Sequence, residues 1–285
     1  MAAKTEAWRL PKLLRLWGAY GRMDFLMITR DLKTFLSWTV ADGLLNIAAV
    51  SGMLLLAQRF AGIGPWSKDQ VIFLLGYGAL TDGLVGTVFS YNVAFISRRI
   101  GRGQFDHTLI QPQPIWLSLL TEGFSPAYGL STLLPGLGLM LWASRHLPLA
   151  ASPAWLLLVA LNLVSSALIV MAFQFLWGSL AFWSPRAAEE VNSATMRLIV
   201  QLKSYPLDGR SGVLTGGLLT LLPVGFVAWL PCRALLGLDK AVGAVWMTPL
   251  AALGFLALAT LIFRQGMKQY GRTGSQRYSL FGHRR

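Results

Sequence analysis

Three acidic residues sit inside apolar sequence, and they are the first places where this chain could do chemistry. Asp42 lies about two turns into the run Phe35–Leu56. Asp82 is near the middle of Val71–Val93, and Glu122 is close to one end of Leu119–Ala143. Ionisable groups in hydrocarbon are costly and mark relays, pathways or buried pairs. One reading is a proton or cation relay, with Asn46 and Gln174 as further polar groups on a pathway or an interface. The other is that Asp82, within Gly76-Tyr77-Gly78-Ala79-Leu80-Thr81-Asp82-Gly83, bonds neighbouring backbone or hydroxyls, or faces a wet cavity. Only Asp42 and Asp82 lie at depth, and no basic residue lies there with them. That shortage favours the second reading.

Other chemistry is hard to find. Cys232 is the single cysteine, which leaves no intramolecular disulfide and no cysteine metal cluster. His107, His146 and His283 are far apart in the sequence. The glycine-rich pieces Gly101-Arg102-Gly103 and Gly209-Arg210-Ser211-Gly212 lack the spacing and the lysine of a phosphate-cradling loop. No nucleophile elbow and no His-Glu-x-x-His helix is present. These absences argue against catalysis by this polypeptide and against a cofactor bound by it. If the chain moves a solute across a membrane, the energy must come from an ion gradient or another subunit.

Six apolar runs would carry these groups: Phe35–Leu56, Val71–Val93, Leu119–Ala143, Trp155–Trp177, Gly212–Leu230 and Val245–Phe263. Each is long enough, at ~1.5 Å per residue, to cross a hydrocarbon core of ~30 Å. A mean hydropathy of +0.54 with 13% charged residues agrees with a polytopic membrane protein. Trp38, Trp66, Trp142, Trp155, Trp183 and Trp246 fall near run ends, where indole suits the headgroup level. Of the 25 Lys and Arg, 20 fall in the N-terminal arm, the second–third and fourth–fifth connections and the C-terminal tail. By the positive-inside rule both termini are cytoplasmic. A basic face beside anionic lipid accounts for the net charge of +13 without a nucleic-acid partner. The first apolar run is too long for a signal-peptide core, so it is expected to stay in the mature protein.

The expected organisation is therefore all-α. Residues 1–34 form a cytoplasmic arm, 35–263 one six-span domain, and 264–285 a basic cytoplasmic tail. Within the arm, Leu10, Leu13, Leu14 and Trp17 recur at helical spacing, with Arg9, Lys12, Arg15 and Arg22 on the other faces. That pattern predicts a basic amphipathic helix lying in the membrane interface or packed on a protein partner. The fourth–fifth connection, Ser184 to Ser211, is read as cytoplasmic, with helical composition over Ala187–Leu202.

The order of several short motifs resembles the six-span permease subunits of bacterial type-2 ATP-binding-cassette exporters, in a subgroup once called a domain of unknown function. The match runs from Trp66-Ser67-Lys68-Asp69 and Leu74-Leu75-Gly76 through Ile100-Gly101-Arg102-Gly103-Gln104-Phe105-Asp106 with Pro112. It continues at Phe182-Trp183, Tyr205-Pro206-Leu207, Pro223, Phe226 and Pro231, and ends at Gly266-Met267-Lys268-Gln269-Tyr270. Gln104 departs from the family pattern, which has Glu there. The resemblance implies a short coupling helix after the second span that engages a cytoplasmic ATPase. Arg98, Arg99, Gly101, Arg102, Gly103, Phe105, Asp106, Leu109 and Pro112 would form it. Arginines would meet an acidic cleft, glycines would permit the bend, and Phe105, Leu109 and Ile110 would be apolar anchors. The amphipathic arm becomes the fold's elbow helix.

The resemblance further implies a permease in the bacterial inner membrane, paired with itself or a sister permease and served by two ATPase copies that carry ATP and Mg. An ion-coupled secondary transporter relying on Asp42 and Asp82 is the alternative. A membrane-embedded lipid-modifying enzyme is a third, disfavoured by the missing catalytic constellation.

Overall fold

The computed structural model describes residues 10–59, 62–94, 96–111, 113–209, 211–239, 241 and 243–274. Helix α1 spans Leu10–Arg30 and runs at Asp31 into α2, Leu32–Arg59, whose start is capped by the Asp31 carboxylate accepting the Thr34 N–H at 3.2 Å. The two-residue strands β1 (Gly62–Ile63) and β2 (Trp66–Ser67) pair antiparallel and lead into α3, Lys68–Ala94. Three short helices follow: α4 (Ile96–Gly101), α5 (Phe105–Leu109) and α6 (Ile115–Thr121). Then come α7 (Pro126–His146), α8 (Pro153–Ser179) and α9 (Pro185–Leu202), followed by α10 (Gly212–Thr220), α11 (Leu230–Leu235) and α12 (Met247–Thr273).

Lys68–Phe89, Pro153–Phe182 and Ala244–Thr273 are long and apolar enough to cross a membrane. Gly212–Thr220 and Gly225–Leu235 together would pass as a fourth, but they are bent by 82°. This is an all-α membrane protein. Two of the six expected runs are broken for a local reason. The run Leu119–Ala143 is interrupted at Glu122–Ser125, because Pro126 has no N–H to donate and holds Ser125 out of the helical region. The run Gly212–Leu230 is interrupted at Leu221–Val224 around Pro223 and resumes as a π-helical turn over Gly225–Trp229.

The centre of the fold is the antiparallel pair α3–α7. A methyl placed at Gly136 would stand 2.8 Å from the Leu80 backbone N, and one at Gly83 would stand 2.8 Å from the Leu133 backbone N. With hydrogen alone at these positions the two backbones touch. Such small-residue seams drive helix association where lipid offers no hydrophobic contrast. One buried cluster lies toward the Trp66 end of α3, with Phe73, Tyr77, Val227 and Cys232. A second lies toward the other end, with Phe105, Phe182, Phe263 and Tyr270.

Helix α1 docks on its own chain. The Trp17 ring stacks on Phe124 at 5.6 Å, and its Nε1–H donates to the Leu120 carbonyl at 3.0 Å. The Asp24 carboxylate caps α7 from outside, accepting from Ala127 N–H and from the Ser125 hydroxyl, each at 3.0 Å.

Candidate transport pathway and coupling end

Helix α9 joins the two ends of the molecule. Near its start Glu189 accepts from Arg98 Nε at 2.8 Å, beyond the C-terminal end of α3. Past its C-terminus, Asp208 accepts the Trp66 Nε1–H at 2.5 Å, at the N-terminal end of α3. Between them Lys203 forms an ion pair with Asp82, half-way along α3. Gln174 of α8 donates to the Met196 sulfur at 3.1 Å on the way. The segment from Pro185 to Asp208 therefore runs the length of α3. The expectation of a cytoplasmic connection over Ser184–Ser211 does not fit this course.

The apolar run after it behaves differently. Arg233, at its far end, pairs with Asp208, just before its start, so the segment returns to the end it left. Its middle is deep: the Phe226 carbonyl accepts from Ser166 at 2.8 Å, and the Val227 carbonyl from Thr81 at 3.4 Å. Thr81 is about 20 Å along α3 from its first residue, at 1.5 Å per residue. Gly212–Leu235 is thus a re-entrant hairpin, with freed backbone carbonyls bonded by hydroxyls from α3 and α8. Its feet are fastened by Asp208, which also accepts the Trp229 Nε1–H at 2.7 Å, while Arg233 lies over the Trp229 ring at 5.4 Å and bonds Asp239 at 2.6 Å.

Asp82 has a partner that no local pattern announces. Lys203 is 8% exposed and Asp82 36%. Of the two expectations for Asp82, bonds to neighbouring backbone or hydroxyls or a wet cavity, the first gives way to a pair that ties α3 to the end of α9, so a basic residue does lie at this depth. Asp42 and Asn46 fall on α2, but their side chains lie outside the described residues.

At the opposite end the segment Ile96–Ile110 folds back on the helices. Phe105 is fully buried, edge-to-face with Phe182, Phe263 and Tyr270 at 5.8 to 6.2 Å. Asp106 accepts the Tyr270 hydroxyl at 2.5 Å, which fastens α5 to α12. Gly103 takes φ +67°, a left-handed conformation that lets the chain turn between α4 and α5. Gly101 brings the chain against Pro185, where a methyl would approach to 3.0 Å. Arg99 is inward, donating to Thr108 at 2.9 Å and to Glu122 at 3.0 Å, so Glu122 belongs to this polar knot rather than to a span. Arg102, Leu109 and Ile110 remain exposed, Ile110 at 80%. The apolar anchoring role expected of Phe105 is thus turned inward, onto the chain itself. Pro112 lies outside the described residues.

A groove of about 440 Å³ lies between the α1–α2 junction and α7, lined by Asp24, Met27, Thr34, Phe35, Ser125 and Ser131. A stripe on α9 escaped sequence reading altogether. Arg186, Glu190, Ser193, Arg197 and Gln201 recur at three- and four-residue spacing and are all exposed. The spacing was visible; the traverse that gives it meaning was not.

A family model described as ABC-2 family transporter protein matches residues 44–274. No curated protein and no solved structure matches the chain.

Proposed function

The chain belongs to the ABC-2 family of transporter proteins, a family of membrane transport components, and we propose that it is the permease of an ATP-driven exporter that works as a dimer with a separate ATPase. The family match over 44–274, on a chain without a phosphate-cradling loop, carries this reading. ATP and Mg would be held by the two ATPase copies.

The course of the chain supports six crossings, by α2, α3, α7, α8, the Pro185–Asp208 segment and α12. With that count both ends of the chain would lie on one side, that of Phe105 and Tyr270, and the excess of Lys and Arg there supports reading it as the cytoplasmic side of a bacterial inner membrane. The arm over 1–34 and the tail over 264–285 then flank a single transmembrane domain.

The ATPase would meet the outward side of Ile96–Ile110. Arg102, Leu109 and Ile110 face away from the helices, while Phe105 and Asp106 hold the segment to α12. ATP-driven closure of the ATPase pair would push this segment and tilt the helices it is fastened to, exchanging inward- and outward-facing states.

The test is co-expression with a candidate ATP-binding-cassette ATPase from the same genome, joint purification, and ATP hydrolysis in lipid nanodiscs. A stable complex whose hydrolysis depends on the permease is expected. Transport that follows an ion gradient in vesicles without ATP would replace this reading with a secondary transporter, for which the Asp82–Lys203 pair is the structural candidate.

A further inference from the structure

The exposed face of α9 carries charge across a layer that tolerates little. Arg186, Glu190, Ser193, Arg197 and Gln201 lie within about 80° of arc at 100° per residue. The exposed faces of α8 and α12 are apolar by contrast, with Leu157 71% exposed and Leu250 and Leu253 each 65%. Those faces suit lipid. The α9 stripe does not, because a polar face at membrane depth lines water or protein.

Charge along the stripe is uneven. Arg186 and Glu190 are four residues apart and offset one another. Glu189 is taken by Arg98, and Asp82 by Lys203. Arg197 has Ser193 and Ala194 on the preceding turn and Val200 and Gln201 on the next, with no acid among them. Its side chain is exposed and makes no hydrogen bond or ion pair among the described residues. Its place is about 12 Å beyond Glu189 along the helix, eight residues at 1.5 Å each. Beside the stripe, Leu198 at 40% and Val200 at 50% exposure offer apolar surface on either flank.

We infer that Arg197 is a substrate-binding residue in the wall of the translocation pathway, and that the substrate is an amphiphile whose anionic group it receives. The inference rests on the proposed crossing by Pro185–Asp208 in a dimer. A two-fold axis along the membrane normal sets both Arg197 side chains at one depth, so neither neutralises the other. An anionic group between them satisfies both, with charge-assisted hydrogen bonds from the guanidinium fork. Leu198 and Val200 then accompany its apolar body.

The experiment uses the full chain in membranes and has two arms. In the first, Ser184→Cys and Tyr205→Cys are treated with an impermeant thiol reagent from each side. Labelling from opposite sides is expected, and labelling from one side overturns the crossing on which the inference stands. In the second, Ser193→Cys is labelled by a sulfonate-bearing and by a trimethylammonium-bearing thiol reagent. The anionic reagent should react faster, and Arg197→Gln should lower the anionic-to-cationic rate ratio by about tenfold, as loss of a charge-assisted bond predicts, while Arg197→Lys keeps most of it. Dodecyl sulfonate should protect Ser193→Cys, and dodecyltrimethylammonium should not. A ratio unmoved by Arg197→Gln, or equal protection by both amphiphiles, overturns the anionic substrate and leaves the crossing intact.

Discussion

Replacing Asp82 by Asn removes one half of the only ion pair seen along the middle of α3 among the described residues. Lys203 is left 8% exposed and without its counter-charge. Stripping one partner from a buried pair costs ~3–5 kcal/mol, because the remaining charge keeps its desolvation and loses its compensation. Asp82 is 36% exposed, so water reaches it and the lower figure applies. A loss of ~3 kcal/mol lowers the apparent Tm by about 6–12 °C, at ~2–4 °C per kcal/mol for a domain of this size. The double variant Asp82→Asn/Lys203→Met removes both charges, keeps the volume, and should recover most of the loss. Thermal unfolding in nanodiscs, followed by tryptophan fluorescence, measures all three proteins. The double variant should also retain ATP-driven transport, because the pair holds the helices and carries no proton current. An Asp82→Asn variant as stable as the parent refutes the pairing. A double variant that is well folded but transports only when the pair is restored refutes its purely structural role.

Gly136→Ala should lower the Tm measurably, at a cost of ~1–3 kcal/mol for overpacking, while Gly138→Ala, where a methyl meets nothing within 4 Å, should be neutral. Phe105→Ala should destabilise the membrane domain itself by ~3–5 kcal/mol, seen as a lower Tm even without an ATPase present. Arg102→Glu combined with Ile110→Ser should leave Tm unchanged and weaken ATPase co-purification, since both side chains point outward. Arg233→Gln should loosen the hairpin feet by ~2 kcal/mol and make the buried Cys232 reactive toward thiol reagents, which the parent should resist.

Hydropathy made α3, α8 and α12 legible because each is a continuous apolar run with no proline beyond its first turn. It failed at α9 for a physical reason. The charges of Arg186, Glu189, Glu190 and Arg197 make α9 read as an aqueous connection, although the segment runs alongside α3. Gly212–Leu230 reads as one continuous apolar run, although the chain bends by 82° around Pro223. The Lys203 partner of Asp82 stands 121 positions away in sequence and the Tyr270 partner of Asp106 stands 164 away, beyond any local pattern. Gly103 was different, since its bend could be read from residue type alone.

The glycine seam between α3 and α7 has a mechanical meaning. Two rods whose backbones touch at Gly83 and Gly136 have no soft side chains between them to shear, so they turn together as one beam. Displacement delivered at the Phe105 end then reaches the Trp66 end undiminished, some 40 Å away at 1.5 Å per residue of α3. The slip plane must lie elsewhere. Between α3 and the α9 strand of chain the ties are discrete and exchangeable: Arg98 with Glu189, Asp82 with Lys203, and Trp66 with Asp208. Polar rungs of this kind can be undone one at a time and remade in a new register, whereas the glycine seam cannot slide without a backbone clash.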